Sequence, residues 1–178
     1  MPPPLVERAL ALAESAGFAR SCSPEAGRLL QVLAAQRGRT RVAEIGTGCG
    51  VGSAWILSAL DPSVPFVTVE LDPARAAAAA ELLAADDNAK VLAGDWQEVL
   101  PAEGPFDLLF ADGGRSKYRE ELVGLLAPGG TLVLDDLTPG YEGHDPVREL
   151  WLGHPRLVAS ELRISQREAV IVGTLQPR

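Results

Sequence analysis

The sequence predicts an α/β fold, in which helices cover both faces of a doubly wound, mostly parallel sheet. Three observations support it. Short apolar runs alternate with helix-like segments, glycines follow the first run, and the last two runs are only a few residues apart. Strand–helix alternation is typical of parallel sheets, whereas so short a final connection indicates an antiparallel hairpin. The 178 residues suit a single domain, with N-terminal helices over 1–38 and a sheet-forming core over 39–178.

Two helices are expected before the first strand. Residues 5–19 place apolar side chains at roughly helical intervals. Ser23 is a favourable N-cap for the second helix, and Pro24 suits its first helical position. One buried face of this second helix is expected to carry Leu29, Leu30, Val32 and Leu33.

The later elements follow from the same alternation. Apolar runs predict strands at 41–45, 66–70, 90–93, 106–111, 131–134, 157–164 and 169–173. Helices are expected at 53–60, 74–85 and 120–126. Asp72-Pro73 gives the second of these a cap followed by proline, and Pro128-Gly129-Gly130 is expected to end the third.

Composition narrows the class of function. The formal net charge of −8 disfavours an extended nucleic-acid surface, which needs clustered Lys and Arg, so a small-molecule partner is expected. Cys22 and Cys49 are too few for a disulfide framework or a thiolate metal cluster. No apolar run reaches membrane-spanning length, and the N-terminus lacks the layout of a signal peptide, so a cytoplasmic location is expected.

The most informative stretch is 41–53, which leads from an apolar strand through four alternate glycines into a helix. Glycine permits positive φ and lets a ligand approach the backbone closely, and the helix start offers free N–H groups. Glu70 ends the next strand, where a carboxylate can accept hydrogen bonds from both hydroxyls of a ribose. Together these features predict a site for an adenosine-containing cofactor.

The glycine spacing indicates which cofactor. A nicotinamide-binding turn, G-x-G-x-x-G, would need its third glycine at Val51 or Ser53. The spacing is instead E-x-G-x-G-x-G, from Glu44 to Gly50, and with Glu70 it resembles class I S-adenosylmethionine-dependent methyltransferases. The resemblance implies S-adenosyl-L-methionine as cofactor and a Rossmann-like sheet of seven strands with an antiparallel last strand. An NAD(P)-dependent oxidoreductase and a non-catalytic cofactor-binding module remain alternatives.

The resemblance places the cofactor at the ends of the first strands. Glu44 is expected to bind the glycine-loop amides or the cofactor amino group, or else only to clamp the turn. Ser53 could donate to the cofactor carboxylate or only cap its helix. Asp95 is expected to accept from the adenine amine, and Trp96 to stack on the purine or to pack at the surface. The full predicted cofactor set is Glu44, Gly46, Thr47, Gly48, Gly50, Ser53, Glu70, Leu71, Gly94, Asp95, Trp96 and Asp112.

Two later stretches, 106–118 and 129–136, resemble the metal-dependent O-methyltransferases related to catechol and caffeoyl-coenzyme A methyltransferases. Asp112 matches a metal ligand at the end of the fourth strand, and Tyr118 matches the family's tyrosine. Asp135 and Asp136 stand where the family carries adjacent Asp and Asn ligands. The resemblance therefore implies a divalent cation such as Mg²⁺ at Asp112, Asp135 and Asp136, and methylation of a small-molecule hydroxyl. Dimers in the resembled group suggest a homodimer.

This chain departs from that pattern at two positions. Asp136 replaces the family's Asn, which adds a negative charge, and its side chain could instead face away and cap the following turn. Arg115 replaces the family's Lys and cannot act as a general base, because its guanidinium stays protonated. Lys117 could reach in from the same loop. The catalytic candidates are therefore Asp112, Arg115 and Lys117.

The remaining polar segments carry weaker expectations. Residues 138–146 follow the expected ligands and are predicted to form a loop that covers the acceptor. His144 and His154 are expected to be loop residues rather than ligands or bases.

Overall fold

The computed structural model describes residues 1–113 and 115–177; Gly114 and Arg178, the last residue of the predicted domain, lie outside these ranges. Seven strands form one sheet: β1 Val42–Ile45, β2 Phe66–Glu70, β3 Ala89–Ala93, β4 Phe106–Ala111, β5 Leu126–Leu137, β6 Leu157–Arg163 and β7 Ala169–Leu175. Within the described ranges the α-helices are α1 Pro4–Ser15, α2 Pro24–Ala34, α3 Val51–Leu57, α4 Pro73–Leu82, α5 Trp96–Val99 and α6 Pro146–Leu152. Two 3-10 helices, Ser116–Tyr118 and Glu120–Leu125, follow β4.

The strand order is β3-β2-β1-β4-β5-β7-β6. The pairs from β3 to β5 are parallel, and β7 is antiparallel to both β5 and β6. The predicted sheet with its C-terminal hairpin is therefore confirmed. The chain winds outward from β1 on one side and from β4 on the other, so the strand order reverses between them. Ligands of open α/β sheets bind at such a point, beyond the carboxyl ends of the strands.

Both faces of the central strands β1, β2 and β4 are buried, as their apolar sequences require, whereas β3 and β6 at the sheet edges are more exposed. Within β1, Val42 packs with Leu30 and Trp55 beneath the first three helices. Ala43 and Ile45 belong to the opposite cluster, and Ile45 is 2% exposed. No helix in the described ranges combines the length and the apolarity needed to cross a bilayer.

One expectation for α2 is wrong. Ala26, Leu30 and Ala34 form its buried face, spaced four residues apart, whereas Val32 is 63% exposed. Two residues along a helix turn by about 200°, so Val32 lies opposite Leu30 rather than beside it. The Ser23 cap is as predicted, because its side chain accepts from the Ala26 N–H at 3.1 Å.

The region after β4 also differs from the sequence prediction. Residues 120–125 form a 3-10 helix rather than an α-helix, and β5 begins at Leu126, before Pro128-Gly129-Gly130. The β4–β5 register shifts at this point, so the proline and glycines lie in a strand irregularity instead of ending a helix. Helix α6 was not predicted, although Asp145 caps it by accepting from two backbone N–H groups.

Candidate functional site

A cavity of about 470 Å³ opens beyond the carboxyl ends of β1, β2, β3 and β4, where the strand order reverses. Its walls come from segments that are distant in sequence. They include Phe18, Arg20, Gly46, Gly48, Glu70, Leu71, Arg75, Gly94, Asp95, Trp96, Asp112, Arg115, Ser116, Lys117, Arg119 and Asp136. The fold thus gathers most of the predicted cofactor residues around one concave surface.

Glu70 lies at the mouth of the glycine turn and not in solvent. It is 6% exposed, and its Oε2 accepts from the Gly48 N–H at 2.8 Å. Its Oε1 accepts from the Asp72 N–H and from Arg75 Nη2, both at 2.9 Å. A carboxylate offers about four acceptor sites, so Oε2 keeps one that a ribose hydroxyl can use.

The turn needs glycine where β1 meets the loop after β4. Gly46 has φ 95°, and a Cβ at this position would collide with the backbone of Gly113. At Gly48 a Cβ would meet the Phe18 ring. The absence of side chains at these two positions lets the loops approach each other and leaves the cavity open above them.

Glu44 lies beneath the turn, 1% exposed. Its Oε2 accepts from the Ser53 hydroxyl and from Thr68 Oγ1, the latter at 2.7 Å, and Thr68 Oγ1 lies 2.6 Å from Thr47 Oγ1. Burial raises the pKa of Glu44 to about 8, against the lowering effect of the two hydroxyl bonds. Glu44 therefore clamps the turn, and Ser53 bonds to Glu44 in place of the expected cofactor carboxylate. Gly50 lies behind the lining as the left-handed cap of α3.

The opposite wall has the features of an adenine site. Leu71 is 73% exposed although apolar, and Trp96 is half-buried at the start of α5. Asp95 caps α5, with Oδ1 accepting from the Gln97 N–H at 2.9 Å. Its second carboxylate oxygen is left for a donor in the cavity. Two apolar surfaces beside a free acceptor suit a purine with an exocyclic amine.

Three carboxylates meet beside the cavity, and two of them, Asp112 and Asp136, line it. Asp112 follows β4, Asp135 and Asp136 belong to β5, and one carboxylate oxygen from each lies within 4.8 Å of the others. Asp135 is 2% exposed, and its Oδ1 has no hydrogen-bond partner in the described part of the chain. Burial, reinforced by the neighbouring carboxylates, raises the pKa of both Asp112 and Asp135. A hard divalent cation satisfies oxygen ligands arranged in this way.

The backbone at Asp136 explains how two adjacent aspartates reach one site. Successive strand residues normally point to opposite faces of a sheet. Asp136 has φ 59°, and the β5–β7 register shifts between Leu134 and Leu137. Aspartate tolerates this left-handed region better than most residues. The Asp136 side chain therefore lies in the carboxylate cluster and does not turn away to cap the following turn.

The two basic candidates occupy different positions. Lys117 is half-buried, and its Nζ donates to the Asp135 carbonyl at 3.2 Å. The Lys117 carbonyl accepts from Trp151 Nε1 at 2.6 Å, which anchors this segment to α6. Arg115 is exposed at the cavity rim. Lys117 therefore reaches the carboxylate cluster, as the sequence left open.

A second cavity of about 290 Å³ adjoins the first and shares Lys117 and Asp136 with it. Tyr118, Tyr141 and His144 contribute to its walls. Residues 138–146 were predicted as a covering loop. Residues 138–145 contain no helix or strand and contribute to this second cavity, but Pro146 is the first residue of α6.

The histidines are not part of the carboxylate cluster. His144 Nδ1 lies 2.7 Å from a Glu149 oxygen at the surface. His154 is buried, and its ring stacks on Trp151 with centroids 6.0 Å apart.

Sequence reasoning missed several residues of the cavity, among them Phe18, Arg20, Arg75, Ser116 and Arg119. Phe18 and Arg20 lie in the connection between α1 and α2, far from any motif, and only the packing of these helices brings them here. Arg75 could have been found, because the first turn of α4 faces back onto the end of β2. It pairs with Glu70, and its guanidinium lies 5.5 Å from the centre of the Phe18 ring.

Comparison with known proteins places the chain among methyltransferases. A family model described as a methyltransferase domain matches residues 43–137, which span both the glycine turn and the carboxylate cluster. A protein from Mycobacteroides abscessus, named as a candidate O-methyltransferase, is 33% identical over 133 residues. That match covers 70% of this chain and 62% of the relative. A similarly named protein from Mycobacterium avium is 31% identical over 137 residues, covering 72% of this chain and 62% of the relative. The chain thus spans less than two thirds of their length.

Solved structures share the whole fold. The O-methyltransferase TomG from Streptomyces achromogenes, in complex with SAM, covers 99% of this chain at 23% identity and TM-score 0.84, with 92% of its own chain matched. An O-methyltransferase from Bacillus cereus in complex with SAH gives the same values. Cofactor-bound Rv0187 from MTB is 26% identical, with TM-score 0.86, 99% of this chain and 91% of its own covered. This chain therefore belongs to the methyltransferase domain family.

Proposed function

We propose that this chain transfers a methyl group from S-adenosyl-L-methionine to a hydroxyl of a small molecule, at a site that also holds a divalent cation. One observation carries the proposal: Glu70, which is bonded to Gly48, lines the same cavity as Asp112 and Asp136, two members of the three-carboxylate cluster. Membership of the methyltransferase domain family, and structural neighbours with SAM or SAH, support this cofactor over a nicotinamide.

The cofactor would lie across the glycine turn. Glu70 accepts from the ribose, while Leu71, Trp96 and Asp95 receive the adenine. Gly46 leaves room for the ligand at the turn. Asp112 follows the neighbouring strand end and lines the same cavity, so it would lie near the reactive part of a cofactor bound in this way.

The carboxylates fit a hard cation. Asp135 Oδ1 is a buried acceptor without a donor in the described residues, and Asp112 and Asp136 lie beside it. Unbalanced carboxylates so close would repel one another, and burial makes the ionised forms costlier. A bound divalent cation supplies a Lewis acid that makes an acceptor hydroxyl more acidic.

The chain's own cations assist the displacement. In the proposed transfer the acceptor hydroxyl would lose its proton to solvent, its oxygen would bond to the methyl carbon as the carbon–sulfur bond breaks, and S-adenosylhomocysteine would leave. The Lys117 ammonium, held near Asp135, stabilises negative charge on the attacking oxygen. Arg115 contributes charge only, because it stays protonated. Positioning of the two reactants in line supplies a large part of the rate.

A methyl-transfer assay tests the proposal. The purified chain, S-adenosylmethionine and Mg²⁺ are incubated with a dihydroxybenzoate, and methylated product is measured by mass spectrometry. We expect product that disappears in excess chelator and in Asp135→Asn. Glu70→Gln should weaken S-adenosylhomocysteine binding by about tenfold in calorimetry, because the neutral amide lacks the negative charge that strengthens hydrogen bonds from the ribose hydroxyls. The matched control is Glu81→Gln, an exposed change on α4. Full activity in excess chelator would refute the cation, and absence of S-adenosylhomocysteine binding would refute the cofactor. A homodimer and a cytoplasmic location stay predictions.

A further inference from the structure

The acceptor end of the cavity is rich in positive charge although the chain as a whole is acidic. Five cationic side chains line the cavity, namely Arg20, Arg75, Arg115, Lys117 and Arg119, in a chain with a net charge of −8. Arg75 is committed to Glu70 and Asp72 through ion pairs. The other four line the same cavity as Asp112 and Asp136.

Arg115 and Arg119 are the two of these four cations that flank Ser116–Tyr118, and both side chains are exposed. Within the described part of the chain, neither has a carboxylate within 4.0 Å. Both line the cavity, so their charges are available to a ligand.

A buried hydroxyl between them points to the same ligand chemistry. Ser116 is 2% exposed, lines the cavity, and its Oγ has no hydrogen-bond partner in the described residues. Leaving a buried hydroxyl unbonded is unfavourable, so the Ser116 hydroxyl is expected to bond to a group of the ligand that the site binds. An anionic oxygen flanked by arginines is a strong acceptor for it.

We propose that Arg115, Ser116 and Arg119 form an anion subsite, and that the methyl acceptor is a small molecule carrying a carboxylate or a phosphate besides its reactive hydroxyl. This inference rests on the proposed methyl transfer. Arg115 and Arg119 flank the short 3-10 helix Ser116–Tyr118, and all three residues of the subsite line the same cavity as Asp112 and Asp136. The anionic group anchors the acceptor there while its hydroxyl reaches the carboxylate cluster. Opposite charges also raise the rate of encounter with such an acceptor.

Three acceptors that share one ring system separate the effect of ligand charge on kcat/KM from the effect of ligand shape. They are a dihydroxybenzoate, the matching dihydroxybenzyl phosphate and the neutral dihydroxybenzyl alcohol. We expect kcat/KM for one of the anionic acceptors to exceed that for the alcohol by at least about tenfold, since a charge-assisted hydrogen bond is worth that factor or more. Which anion is preferred tells a carboxylate from a phosphate ligand. Equal values for all three would overturn the subsite while leaving methyl transfer intact.

Variants assign the preference to these residues. Ser116→Ala and Arg119→Gln should each lower the anionic-to-neutral ratio of kcat/KM by about tenfold, with S-adenosylhomocysteine affinity retained. Arg156→Gln, an exposed change before β6 that lines neither cavity, should leave the ratio unchanged. A loss of S-adenosylhomocysteine affinity in Ser116→Ala would overturn the proposal, because the segment would then hold the cofactor's own carboxylate.

A binding measurement keeps the subsite testable if no acceptor is methylated. The S-adenosylhomocysteine-loaded protein is titrated in a calorimeter with the dihydroxybenzoate and, separately, with the alcohol. The difference between the two affinities measures anion recognition without turnover. Tighter binding of the benzoate that is lost in Arg119→Gln would support the subsite even if methyl transfer failed. Equal binding of both compounds, or a benzoate preference that survives in both variants, would overturn it.

Discussion

Glu44 offers a test of how the buried base of the glycine turn sets the pH dependence of stability. Its carboxyl is almost fully buried and accepts from Ser53 and Thr68, while Oε1 has no partner in the described residues. Burial raises its pKa from 4.5 to about 8. The folded protein therefore keeps a proton on Glu44 at pH values where the unfolded chain has lost it.

The sign and size of the effect follow from proton linkage. A group whose folded pKa is raised contributes stability that is fully present below its unfolded pKa and is lost as pH rises through the folded pKa. Each pH unit between 4.5 and about 8 removes roughly 1.4 kcal/mol. Between about pH 5 and pH 8 the loss from this one group is therefore about 3 kcal/mol.

Glu44→Gln removes the titration and keeps the shape. The amide oxygen can still accept from the two hydroxyls, but its NH₂ group then lies where Oε1 has no partner, at a fixed cost of about 2 kcal/mol. We expect the variant to be less stable than the parent by about 1 kcal/mol near pH 5 and more stable by about 2 kcal/mol near pH 8. The two stability curves should cross.

Urea unfolding, followed by the fluorescence of the buried Trp55 and Trp151, measures both curves. Comparing variant with parent at each pH cancels the titration of Asp112 and Asp135. Glu81→Gln, at an exposed position on α4, serves as control and should run parallel to the parent. A stability difference between Glu44→Gln and the parent that does not change from about pH 5 to pH 8 would refute the assignment of a raised pKa to Glu44.

Three further predictions concern the cavity walls. Gly46→Ala should destabilise the fold by about 2 kcal/mol in urea unfolding, because the backbone has φ 95° and the Gly113 backbone leaves no room for a Cβ. The same variant should lose S-adenosylhomocysteine binding in calorimetry. Asp136→Asn keeps a residue that tolerates φ 59° and removes one of the three clustered carboxylates. The metal-free protein should therefore gain about 1 kcal/mol of stability in urea unfolding. The affinity for Mg²⁺, measured by calorimetry, should fall about tenfold. Trp151→Phe loses the bond to the Lys117 carbonyl and should cost about 2 kcal/mol in the same unfolding assay, with kcat falling more than cofactor affinity. No change in any one of these measurements would contradict the corresponding contact.

The parallel core was predictable because its signals are local. Alternation of apolar runs with capped helices fixes the elements, and the glycines after β1 with Glu70 after β2 mark the strand ends where a ligand binds. The errors also have local causes. Val32 was misjudged because an apolar residue two positions from Leu30 belongs to the opposite side of the helix. The sequence predicts a helix end at Pro128, because no residue pattern distinguishes a strand irregularity from a helix end at this proline.

The roles of individual side chains were harder to predict, because they depend on what lies across the sheet. Ser53 follows the glycine turn, so its sequence position is equally consistent with a helix cap and with a ligand contact. Its hydroxyl donates to Glu44 because that carboxyl is buried beside it. Phe18 reaches the cavity through helix packing that involves no motif.

Asp136 shows how a departure from the family pattern gains meaning in three dimensions. In the sequence it is an extra negative charge at a position where the related enzymes carry Asn. In the structure its left-handed backbone aims the carboxylate at Asp112 and Asp135, so the charge is added to the cluster itself. The same end of the cavity carries Arg115 where the pattern has Lys, with Arg119 close in sequence. An added carboxylate and a guanidinium that cannot lose its proton put opposite charges around the same cavity. We infer that this chain holds its acceptor by charge, with arginines on the anionic group and carboxylates around the cation, and leaves proton removal to solvent.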